Sequence, residues 1–132
     1  MEQKKAKTSM RVSIKTTNLE LTSNISRHLE KTIKSLDRFV KNMDAVVWAW
    51  IEIGRISSHH KSGKIYRAEI QIHLPGKLMR SEAVSNTIFQ AINEVRGNLQ
   101  RELKQYRGKK TSIQKRGFRK LKKIIKEKIR GQ

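Results

Sequence analysis

Arg27, Lys31, Lys34, Arg38 and Lys41 are spaced by four, three, four and three residues, and Arg101, Lys104 and Arg107 by three. On a helix, steps of three and four place side chains in one line. A line of cations suits a row of phosphates, giving affinity through charge and counterion release with little reading of base edges. The bland alternative is an ordinary solvated helix face. It is less favoured here because few acidic residues alternate with the basic ones. Arg96 sits near the edge of the apolar stripe that accompanies the second line.

Other residue types point to other chemistry. Trp48 and Trp50 stand two apart in a β-branched stretch. If Val47, Ala49, Ile51 and Ile53 face a core, both indoles face away from it. Two aromatics on an open sheet face suit stacking on unpaired bases, and equally a protein contact or a plain cover for the sheet. No RNP-type glycine-aromatic motif accompanies them. Glu52, Glu69 and Glu82 can fall side by side on neighbouring strands, where a carboxylate pair serves as acid and base. Without a pocket signal, cross-strand pairing with Arg67 or Arg80 is the favoured reading. His59 and His60 are adjacent in a polar stretch, and adjacent side chains seldom converge on one ion, so a loop with Lys61 and Lys64 as phosphate contacts is expected rather than a metal site. Phosphate-loop, nucleophile-elbow and zinc-protease motifs are absent from the sequence. Nothing specifies catalysis, a cofactor or a small-molecule substrate, and an enzyme is not expected.

Composition agrees with the basic lines. Of 132 residues, 31 are Lys or Arg and 11 are Asp or Glu, a formal net charge of +20. Charge of that size on one domain repels itself and calls for a polyanion, first nucleic acid and second an acidic membrane surface. Cysteine is absent, which removes disulfides and thiolate metal sites and is consistent with a cytoplasmic location. No run approaches the roughly 20 apolar residues of a membrane span. No secretory signal is expected in Met1 to Ser9.

The elements that must position these residues follow from periodicity. Arg11 to Thr16 alternates and reads as a strand. Thr22 or Ser23 offers an N-cap hydroxyl, and Ile25, Leu29, Ile33, Leu36 and Val40 form the stripe of a helix ending near Phe39. Ala45 to Ile53 and Ile65 to Leu74 are strands. Pro75-Gly76 is a turn, and Lys77 to Ala83 is a short further strand. Ser85 or Asn86 can cap a second helix lined by Ile88, Ile92, Val95, Leu99, Leu103 and Tyr106, with Gly97 as a weak point. The order β-α-β-β-β-α, with single apolar stripes and a one-sided sheet, predicts an α+β two-layer sandwich: four strands, with both helices on one face. The division is a flexible segment over 1–9, a domain over 10–108 and a basic tail over 109–132. The tail holds eight Lys and three Arg against one Glu, half of the net charge, and is expected to be a flexible arm that orders on RNA.

Several stretches carry a family resemblance. Met10 to Ile25 is similar to the first strand, turn and helix start of the ribosome hibernation promoting factor family, also called ribosome-associated inhibitor or light-repressed protein. Lys34 to Phe39 resembles the end of that family's first helix, Met79-Arg80-Ser81-Glu82 its fourth strand, and Ile92 with Leu99 to Arg107 its second helix. The resemblance spans residues 10–107 and implies a β-α-β-β-β-α fold similar to a double-stranded-RNA-binding domain. It implies a stress-induced translation inhibitor bound to 16S rRNA of the small subunit and 70S ribosome, in the channel between head and body, where messenger RNA and A- and P-site transfer RNA bind. It carries RNA-facing roles onto Lys34, Arg38, Arg80, Arg101, Lys104 and Arg107; Arg27 and Lys31 rest on the ridge spacing alone. The chain departs from the pattern at Trp50, Gly97, Asn98 and the basic tail. A short form, without the long members' C-terminal dimerisation domain and monomeric off the ribosome, is expected. The alternatives are a general double-stranded-RNA-binding or RNA-chaperone module, and a constitutive ribosome-associated structural protein.

Overall fold

The computed structural model describes residues 9–43, 45–56, 65–107 and 123. Its elements run β1 (Arg11–Thr17), α1 (Ser23–Asp37), β2 (Trp48–Arg55), β3 (Tyr66–Leu74) and β4 (Lys77–Ser85). A second helix, α2, covers 88–107. The sheet order is β1-β2-β3-β4. β1 and β2 are parallel, so α1 is the crossover such a pair requires, while β2-β3 and β3-β4 are antiparallel. The expected α+β sandwich is the observed one.

Strand alternation builds the core. Ala49, Ile51 and Ile53 of β2, Ala68, Ile70 and Ile72 of β3, and Met79 and Ala83 of β4 point to one face. Against them pack Ile25, Leu29, Ile33 and Leu36 of α1 and Ile88, Ile92, Val95, Leu99 and Leu103 of α2, all in one buried cluster. Among the described residues no helix covers the opposite face of the sheet.

Element boundaries depart from periodicity where a partner decides them. The Thr22 hydroxyl caps α1, accepting from the Ile25 amide at 3.3 Å. The helix stops at Asp37 rather than near Phe39, and the following turn carries Val40 into the core. Asp37 is buried and accepts hydrogen bonds from the Ser9 amide (2.9 Å), the Ser9 hydroxyl (3.2 Å) and the Met10 amide (3.1 Å). A carboxylate at a helix C-terminus opposes the dipole; these three donors offset it and tie the start of β1 to the end of α1. β2 begins at Trp48, not Ala45, because its partner β1 begins at Arg11, opposite Trp48. β4 runs on to Ser85, opposite Tyr66, so Ser85 belongs to the sheet. Thr87 caps α2 instead of Ser85 or Asn86, its hydroxyl accepting from the Gln90 amide at 3.1 Å. Pro75 followed by Gly76 at φ +72 is the type II turn pattern.

Candidate nucleic-acid interface

Helical periodicity, with its buried stripe, sets which side chains face solvent. On α1, Arg27, Lys31, Lys34 and Arg38 are exposed and lie opposite Ile25, Leu29, Ile33 and Leu36; Lys41 continues the line from the turn. On α2, Arg101, Lys104 and Arg107 are exposed. The N-terminal halves of the helices lie side by side. Their contact is His28, whose Nε2 is 2.8 Å from Asn93 Oδ1 and whose ring meets Phe89 edge-on at 5.2 Å. The two basic lines therefore share one side of the molecule.

Two of these cations are positioned by amides rather than by carboxylates. Arg27 donates to Asn24 Oδ1 at 2.9 Å. Arg101 donates to Asn98 Oδ1, and Asn98 in turn donates through Nδ2 to Ser81 Oγ at 3.0 Å. Asn98 thus anchors an exposed guanidinium to the inner face of β4 without neutralising it. Among the described residues no carboxylate pairs with Arg27, Lys31, Lys34, Arg38, Arg101 or Lys104.

The structure does not bring Arg80 to this surface. Arg80 lies on β4 with its side chain on the open face of the sheet, across from the helices. The register places Glu52 beside Glu69 and Glu69 beside Glu82. Arg67 and Arg80 bridge that row, as cross-strand pairing predicts. Arg80 bonds Glu69 at 2.5 Å and Glu82 at 3.2 Å; Arg67 bonds Glu82 at 2.5 Å and Glu69 at 2.6 Å, with Glu52 at 4.0 Å. Gln71 adds a donor to Glu69 at 3.0 Å. Burial alone would push the Glu69 carboxyl up, but the hydrogen bonds from Gln71, Arg80 and Arg67 outweigh it and hold the group at about 2. This row is an ion-pair lattice, not an acid-base pair.

On the same open face, Trp48 is 50 % exposed and Trp50 is half-buried, both turned away from the core as the alternation of β2 predicts. The sequence reading did not pick out their neighbours Arg11, Ser13, Gln71 and His73; the parallel β1-β2 register, which no local pattern reveals, is what assembles them. His59, His60, Lys61 and Lys64 and nearly all of 109–132 lie outside the described residues. Among the described residues no three His, Asp or Glu side chains group to hold a metal, and no helix is long and apolar enough to cross a membrane.

Residues 12–111 match the family described as sigma 54 modulation protein / S30EA ribosomal protein. The chain is similar to the N-terminal domain of Protein Y from Thermus thermophilus, at 30 % identity and a TM-score of 0.57, over 74 % of this chain and 98 % of that one. It shares its fold with a ribosomal subunit interface protein from Coxiella burnetii, at 14 % identity and a TM-score of 0.54, over 75 % of this chain and 99 % of the other. No curated protein matches it significantly.

Proposed function

We propose, since this chain belongs to the sigma 54 modulation protein / S30EA ribosomal protein family, that it is a ribosome-associated hibernation factor which binds 16S rRNA of the small subunit in the decoding channel. One observation carries the reading: two adjacent helices present Arg27, Lys31, Lys34, Arg38, Arg101, Lys104 and Arg107 on one side, and the described carboxylates that form ion pairs are gathered on the other side, around Arg67 and Arg80. Arg27, Lys31, Lys34, Arg38, Arg101 and Lys104, which no described carboxylate pairs, lose little on meeting phosphates and release counterions when they do. Arg80, already engaged by two glutamates, is left out of this RNA-binding set.

Inhibition is steric. A folded domain in the channel and messenger RNA or A- and P-site transfer RNA occupy the same volume, so binding of one excludes the other. No bond is made or broken, and no cofactor is needed. The binding unit is the domain over 10–108, with 109–132 as a basic arm that adds charge. The chain acts as a monomer off the ribosome, since two copies of charge +20 repel each other.

Competition on purified small subunits tests this. Messenger RNA with initiator transfer RNA should displace the protein, and the protein should block their binding in return; co-occupancy refutes the channel assignment. A general duplex-RNA module, which the same ridges would suit, would bind naked RNA helices as tightly as subunits at moderate salt.

A further inference from the structure

The open sheet face holds a site built differently from the helical ridges. The ladder sets Arg11 opposite Trp48 and Ser13 opposite Trp50 on one side, and His73 and Gln71 opposite the same two on the other. Ser13, Trp48, Ala49, Trp50, Gln71 and His73 line a groove of 470 Å³ there. That is the size of sites that take small planar ligands, about 300–1,000 Å³. The Arg11 guanidinium lies 5.6 Å from the Trp48 ring centroid, a cation-π contact that keeps a positive charge at the rim. Gln71 commits its amide nitrogen to Glu69, while its carbonyl oxygen, the Ser13 hydroxyl and the His73 imidazole have no hydrogen-bond partner among the described residues.

We propose that this groove takes an unpaired nucleobase of single-stranded RNA, stacked on the exposed Trp48 indole beside Trp50, its edge met by Ser13, Gln71 and His73 and its phosphate by Arg11. Aromatic rings with hydrogen-bonding neighbours on an open sheet are what an unstacked base requires. The groove between the indoles is small for a protein partner. The row beyond Trp50 is the Arg67, Arg80 and glutamate lattice, whereas a stable protein interface buries about 1,200–2,000 Å². A second copy of this cationic chain is disfavoured by like charge, while Arg11 beside Trp48, with no carboxylate partner among the described residues, favours a phosphate-bearing strand. The site shares with the preceding reading only that the partner is RNA, and it lies on the face away from the helices.

Fluorescence anisotropy of end-labelled probes on the full-length protein, with its tryptophan emission read alongside, tests the proposal, the probes being a short oligoadenylate, an abasic strand of equal length and a duplex of equal charge. The oligoadenylate should quench emission and bind about tenfold more tightly than the abasic strand, the scale of one stacked base. Trp48→Leu and Trp50→Leu should remove that advantage and leave duplex binding unchanged, and Trp48→Phe should retain most of it. Arg101→Glu with Lys104→Glu should weaken all three probes but keep the ratio of base-bearing to abasic strand, which separates failure of this site from failure of the ridges. Equal affinity for the base-bearing and abasic strands overturns the proposal. So does emission that ignores oligonucleotides yet shifts with intact ribosomal subunits, which would mark a contact with ribosomal protein.

Discussion

Glu69→Gln isolates the one strongly perturbed carboxyl of the described fold. Glu69 is 4 % exposed, yet its carboxyl sits at about 2 against an ordinary 4.5. That gap corresponds to about 3 kcal/mol at 1.36 kcal/mol per unit. The donors are not fully buried: the Arg80 side chain is 50 % exposed and that of Arg67 24 %. Solvent screening reduces the contribution to roughly 1–2 kcal/mol. Because the folded-state value is depressed, this stability is fully present above about pH 4.5 and is lost as the pH falls toward 2. Urea unfolding of the wild type and of Glu69→Gln, measured at steps from neutral pH down to about pH 2, reads the difference. The wild type should be the more stable by roughly 1–2 kcal/mol at neutral pH, and the two curves should converge in acid, since other carboxylates titrate alike in both. Curves that stay parallel through the acid range would show that Arg67 and Arg80 contribute nothing through Glu69, and the lattice would then be a surface decoration.

Further expectations follow from single contacts. Arg101→Glu with Lys104→Glu should lower affinity for small subunits and reduce the slope of log affinity against log salt by about 2, from two lost phosphate contacts; unchanged affinity and slope would sink the ridge reading. Gly54→Ala should destabilise by about 1–3 kcal/mol in thermal or urea unfolding, because a Cβ there would stand 2.7 Å from the Thr17 carbonyl oxygen in the parallel ladder. Removing 109–132 should leave the unfolding midpoint nearly unchanged, because the buried cluster runs from Met10 to Leu103; loss of the cooperative transition would show that the tail packs.

Much of this architecture is legible because the apolar periods are strong. Ile25, Leu29, Ile33 and Leu36 at helical spacing, and Ala49, Ile51 and Ile53 at strand spacing, assign both element type and buried face. The boundaries are less legible because they belong to partners. Val46 has the residue type of a strand, but it is 59 % exposed and unpaired since β1 offers nothing before Arg11. Ser85 has the residue type of a cap, but Tyr66 recruits it to the ladder. Arg80 shows the limit of resemblance: its parity on β4, opposite to Met79 and Ser81, already assigned it to the open face. The resemblance gives it an RNA-facing role together with residues of the helices, from which the sheet separates it. The groove was half legible, since the indoles' outward turn follows from β2 alone but Arg11 and Ser13 join them only through a pairing between residues far apart in sequence.

The net charge of +20 is thus a poor guide to where a polyanion binds. On the open face, Arg67 and Arg80 are matched by Glu52, Glu69 and Glu82, so that region of the sheet is close to neutral and its electrostatic energy is spent inside the protein. On the helical face, Arg27 and Arg101 are oriented by Asn24 and Asn98, which fix geometry and leave the charge intact. Salt acts on these two kinds of arginine differently. Close pairs with a buried partner such as Glu69 are screened little, whereas exposed cations facing phosphates across solvent are screened strongly. Raising the ionic strength should therefore release RNA from the helical face well before it loosens the sheet.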